Sequence, residues 1–149
     1  MMQRNIRWRW QGFVWLWMAL LVACGRPAPE QRLRQTVAQM QAAIEARDVG
    51  AAMQPVAADF VGEQGLDANG LRRLLQLQLL GNRRLGITLG PMEVQLHGAT
   101  ATARFTALAT GGDGRWLPEQ AQTYQLITAW RLHDGDWQLY HAQWAPMGQ

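Results

Sequence analysis

The chain has 149 residues, with 14 arginines and no lysine, 11 acidic residues, three histidines and one cysteine, and nearly half of it is hydrophobic. That length holds one small domain and excludes a two-domain enzyme. A single cysteine excludes a disulfide framework and any CxxC zinc or redox site, and the lack of serine excludes a serine nucleophile.

Arg4, Arg7 and Arg9 stand in the first nine residues, and an uncharged, mostly apolar stretch covers residues 12–23. It closes on Cys24, which is followed by Gly25, Arg26, Pro27, Ala28 and Pro29. A basic head, a short apolar core and a small residue before a cut point are the pattern of a secretion signal. Twelve helical residues reach about 18 Å against roughly 30 Å of hydrocarbon, so a spanning helix is not expected. Leu21, Val22, Ala23 and Cys24 resemble the lipobox of bacterial lipoproteins. The resemblance implies that residues 1–23 are removed and that Cys24 takes a diacylglycerol on its sulfur, often with a further acyl chain on its amine. It therefore names the membrane as a partner through lipidated Cys24. Each buried CH₂ contributes about 0.8 kcal/mol, and two lipid signals suffice for stable anchoring. An ordinary secretory leader with a stray cysteine, or an uncleaved anchor, are the alternatives.

Removing residues 1–23 leaves 11 arginines against 11 acids and no net charge, so a basic surface for nucleic acid is not expected. Gly25 stands where an Asp commonly retains enterobacterial lipoproteins at the inner membrane. By that resemblance the location is the outer membrane, facing the periplasm, if the host is Gram-negative. Residues 24–29 then form the lipidated Cys and a tether, kept extended by Pro27 and Pro29.

Residues 30–149 are expected to form one domain. Leu33, Val37, Met40 and Ile44 recur at helical spacing and predict a helix over about 30–47. Asp48 can cap a short second helix running through Ala58, although Pro55 inside that span delays or kinks it. Asp59, Phe60 and Val61 follow, then a loop over 62–65. Asp67 can cap a third helix, with Leu66 and Leu71 as its hydrophobic staple, and Gly81-Asn82 ends it. Its leucines cover more than a narrow stripe, so the helix is buried between sheet and helix, or part of it meets a partner.

Period two then takes over. Leu85, Ile87, Leu89, Met92, Val94 and Leu96 predict a long strand, bent or bulged at Gly90-Pro91. His97-Gly98 is a turn, and alternating alanines lead the next strand to about Thr110. The Gly-rich loop over 110–118 lacks the spacing of a phosphate-binding motif. Asp134-Gly135 is a type I′ turn signal between two final strands. A two-residue register sets Trp130 against Leu139, Leu132 against Trp137, Thr128 against His141, and Gln125 against Trp144. It places Tyr140 and Trp144 on the face opposite to Trp130 and Trp137.

The order of elements is α+β: three N-terminal helices packed against a strongly curved antiparallel sheet of about four main strands. Residues 44–48, 59–61, 67–80 and 130–144, taken in order, resemble the NTF2-like superfamily of cystatin-like α+β cones. Members of that superfamily include enzymes, ligand binders and noncatalytic assembly domains, so the fold alone does not choose a function. The resemblance implies a pocket between sheet and helices and, in the enzymes, an Asp or Asp–His pair inside it. Asp59 and His141 are the weak catalytic candidates, Asp59 as a base with a raised pKa. The bland alternatives are an Asp59 held by backbone NH groups or an arginine, and a His141 bonded to Thr128.

Trp130, Trp137, Tyr140 and Trp144 either line an apolar cavity, fill the core or cover a sheet face. No two histidines have a metal-ligand spacing, and no metal or cofactor is expected. The expected role is a lipid-anchored, noncatalytic binding or assembly domain of the cell envelope, meeting an envelope partner or a second copy through the sheet. Two readings stay beside it: an NTF2-like pocket for a small apolar ligand, with or without dehydratase- or isomerase-like acid–base chemistry, and a purely structural envelope protein.

Overall fold

The computed structural model describes residues 27–112 and 120–148. The signal segment, Cys24 and part of the Gly-rich loop lie outside the described residues.

Helix α1 (Pro29–Glu45) opens on a proline, whose missing N–H leaves nothing unsatisfied at the first helical position. The expected stripe does face inward: Leu33 and Val37 are buried, and Met40 packs against the core. Two bonds tie the start of α1 to the far end of the sheet. Trp137 Nε1 donates to the Pro29 carbonyl at 2.9 Å, and Arg32 donates to the Gly135 carbonyl. After α1 the chain turns through Arg47 at φ 64°.

Helix α2 (Val49–Met53) is capped as expected, with Asp48 Oδ1 accepting from the Ala51 N–H at 2.9 Å. It does not continue to Ala58. Pro55 cannot donate within a helix and disfavours helical geometry in the residue before it. Strand β1 (Val56–Val61) follows instead, running parallel to the last strand. The Pro55 carbonyl accepts from Leu139 N–H at 2.8 Å, which starts that pairing.

Helix α3 (Ala68–Gly81) begins at Asp67, whose Oδ1 accepts from Gly70 N–H at 2.6 Å. Gly70 weakens the first turn by about 1 kcal/mol relative to Ala. The structure supplies its reason: a Cβ there would stand 2.6 Å from Leu66 Cδ1, so glycine lets Leu66 lie against the helix.

The single bent strand of the sequence reading is two strands, β2 (Arg84–Leu89) and β3 (Glu93–His97), both paired with β4 (Thr100–Gly112). Leu89 faces Ala107 and Glu93 faces Arg104, so three residues, 90–92, oppose two, a bulge at the expected place. Gly90 is needed there, because a Cβ would collide with Thr106 Oγ1. Strands β5 (Gln120–His133) and β6 (Asp136–Pro146) join through Asp134 (φ 51°) and Gly135 (φ 91°), both left-handed as a type I′ turn requires.

The sheet order is β1-β6-β5-β4-β2, with β3 also on β4. The sheet is thus mixed and six-stranded, where an antiparallel sheet of about four was expected. The difference is the split into β2 and β3 and the addition of β1, a strand inserted between α2 and α3 and paired with an element about 80 residues later. The core lies between α1 and the inner face of the sheet. Ala101, Ala103 and Ala142 are buried beside Leu33, Phe60 and Trp130, small side chains amid the large ones that fill the layer.

Candidate functional site: an apolar cone

The inner face of the sheet does not close completely on the helices. A cavity of about 220 Å³ remains between them, neither sealed nor a shallow groove. Helix α1 contributes Met40 and Ile44, α3 contributes Leu71 and Leu75, and the sheet contributes Phe105 and Trp144 among others. The helical period explains the first four, since each pair lies on one face of its helix.

The two polar residues on the wall have turned their polar atoms into hydrogen bonds. Gln41 Nε2 donates to the Ile87 carbonyl at 2.6 Å. Thr128 Oγ1 donates to the Ala103 carbonyl at 3.1 Å and accepts from Trp130 Nε1 at 2.8 Å. What faces the space is apolar, and among the described residues no ionisable side chain lines it. Such a wall favours apolar occupants, whereas an ion inside it would lose hydration with no compensating partner.

The acid–base candidates lie elsewhere. Asp59 is on the outer side of β1, its side chain 65% exposed, and is held bidentately by Arg131 at 2.8 and 2.5 Å. The hydrogen bonds from Arg131 hold the Asp59 carboxyl below the usual carboxylate range, opposite to the raised pKa that a base in the cone would need. The same pair raises the Arg131 pKa, chiefly through its bonds to Asp59. Arg131 also lies over the Tyr140 ring, 5.7 Å from its centroid. Of the two bland readings of Asp59, the arginine partner is the one observed.

His141 is displaced by a register break. Leu132 faces Trp137 and Trp130 faces Leu139, as expected, but Tyr140 is an extra residue. Beyond it His141 faces Ala129, not Thr128, and Trp144 faces Leu126, not Gln125. Because side chains alternate between faces, one inserted residue exchanges the two sets. His141 goes to the outer face with Tyr140. Trp144 comes inside, correcting the expectation that it shares the outer face, and it lines the cavity near Trp130. Trp137 is buried in the core. Gly62 accommodates the Trp144 ring: a Cβ at 62 would stand 3.1 Å from both Trp144 Cη2 and Phe60 Cε1.

The other histidines, His97 and His133, end strands β3 and β5 beside turns, and His133 Nε2 is 3.4 Å from Asp134 Oδ2. Among the described residues no group of three or more His, Cys, Asp or Glu side chains is placed to hold a metal. No helix among them is long and apolar enough to cross a membrane. The sequence reading overlooked the α1 and α3 residues as cavity lining, because an apolar helix face reads the same whether it meets packed side chains or empty space.

The fold is the NTF2-like, cystatin-like α+β fold, with a curved mixed sheet of six strands and three α-helices among the described residues. Aln2 from a Streptomyces species superposes with a TM-score of 0.71 at 13% identity, over 82% of this chain and 94% of its own. An NTF2-like protein of unknown function from Pseudomonas putida matches at TM-score 0.67 and 21% identity, over 78% and 84% of the two chains. Bd1075 from Bdellovibrio bacteriovorus matches at TM-score 0.70 and 12% identity, over 80% of this chain but only 41% of Bd1075. No protein-family model matches the sequence, and no curated protein matches it either.

Proposed function

We propose that the chain is a lipid-anchored cell-envelope domain that binds a small, uncharged, apolar molecule in its cone without transforming it. The observation that carries this reading is the carbon-walled cavity of about 220 Å³, with Asp59 and His141 both on the opposite side of the sheet. A cavity near 150 Å³ already holds benzene, so a one- or two-ring molecule or a short acyl chain is the right scale. Acid–base catalysis would require a titratable group beside the bound atom, and the described residues of the cone wall supply none.

The test is fluorescence titration of the full chain with N-phenyl-1-naphthylamine, followed by displacement with 2-naphthol and with 2-naphthoate. The neutral compound is expected to displace the probe at about tenfold lower concentration or better, since the carboxylate would be desolvated unpaired. Ala142→Leu, which fills the cavity, should remove probe binding, while Tyr140→Ala on the outer face should not. Equal displacement by the carboxylate would overturn the reading.

The envelope half of the proposal rests on residues 21–24. Intact-mass analysis of the chain extracted from membranes of a bacterial host is expected to show residues 1–23 removed and acyl chains on Cys24. Density-gradient fractionation should place it with the outer membrane of a two-membrane host. Cys24→Ala should leave the leader uncut.

A further inference from the structure

We infer that the outward side of α3 rests on an anionic phospholipid surface. The helix sends Leu71 and Leu75 into the cavity, yet Leu77 and Leu80 on its other side are 65% and 81% exposed. At 100° per residue Arg73, Leu77 and Leu80 fall within one sector of about 60°, roughly opposite Leu71 and Leu75. Leucines so exposed on the outer ridge of a packed helix add little to the packing of the described residues.

Charge identifies the occupant. From residue 68 to residue 92 the sequence has four arginines, Arg72, Arg73, Arg83 and Arg84, and no acid. All four are exposed. Arg47 adds a fifth guanidinium at the end of α3, bonded to the Asn82 carbonyl at 2.9 Å and to the Leu79 carbonyl. Among the described residues no acid lies on α3 itself, and the nearest ones keep their charge away from the ridge of Leu77 and Leu80. Asp67 caps the opposite end of the helix, Asp48 caps α2, and Glu45 accepts from Ile87 N–H at 2.9 Å. Glu63 lies in the short turn before α3. Cations before and after two leucines match a plane of phosphates over an acyl boundary, which a folded protein partner would have to reproduce with an apolar pocket ringed by acids. α3 would then stand between bilayer and cavity, the route by which an apolar molecule leaves lipid. This goes beyond the proposed function and holds whether or not Cys24 is acylated.

The experiment uses the full chain carrying Leu80→Cys, spin-labelled, on vesicles of phosphatidylcholine alone or mixed with phosphatidylglycerol. The unsubstituted chain, labelled in parallel, supplies the Cys24 background. On the anionic vesicles the label should lose access to a water-soluble nickel complex and gain access to oxygen, and on neutral vesicles it should not. Replacing Arg72, Arg73, Arg83 and Arg84 with Gln, or adding about 1 M salt, should return it to water. A label equally wet on both vesicles overturns the inference. So does one equally immersed in both, and so does one immobilised by a second copy without lipid. Intact mass reads the anchor separately, so the two failures are distinguishable.

Discussion

The two faces of the sheet carry the same kinds of residue and use them in opposite ways. Inside, Trp130 is 1% exposed and its indole N–H ends on Thr128, and the described wall presents apolar surface to the cavity. Outside, Tyr140 lies under Arg131, which is locked to Asp59, and the polar groups remain in water. The contrast teaches that chemistry-bearing residues in this chain are spent on outer pairing, while the enclosed space is kept chemically blank.

Substitutions on the two faces should therefore separate by size. Trp130→Ala deletes the largest of the fully buried side chains and should cost about 3–5 kcal/mol in urea unfolding. A loss below about 1 kcal/mol would show that the inner face is not the core. Thr128→Val keeps the shape but strands the buried Trp130 N–H and loses the bond to the Ala103 carbonyl, for an expected loss of about 1–3 kcal/mol. If Thr128→Val proved neutral, the blank wall would need no hydrogen bonds to maintain it. Asp59→Asn should give the smallest effect, since exposed pairs contribute little.

The pH dependence sharpens the last comparison. Because Arg131 depresses the Asp59 pKa in the folded chain, any stability from the pair is fully present above about pH 4, the ordinary Asp value. It is lost as pH falls through the lower folded value. The Asn variant should show a flatter stability profile below about pH 4 than the parent chain, measured by thermal unfolding. A steeper profile would contradict the pairing.

Local signals were readable from the sequence wherever a local cause exists. The stripe of Leu33 and Val37, the caps Asp48 and Asp67, the bulge after Leu89 and the turn at Asp134-Gly135 all follow from neighbours a few residues away. What escaped was nonlocal. Nothing near Val56 announces a strand, because its ladder is supplied by β6, more than 80 residues on. Nothing at Tyr140 announces a bulge, since it carries neither Gly nor Pro, and missing it transposed His141 and Trp144 between faces. Asp59 could be assigned an arginine but not Arg131, 72 positions away. The cavity was least legible of all, because emptiness has no letter.

Gly62 gives the cone an adjustable bore. Two aromatic rings, Phe60 and Trp144, abut the hydrogen that takes the place of its side chain, and both rings also form part of the inner wall. A side chain there would require one of the two rings to give by a few tenths of an ångström, and with it that part of the inner wall. If the cone takes a guest as proposed, the residue at position 62 sets how large that guest can be.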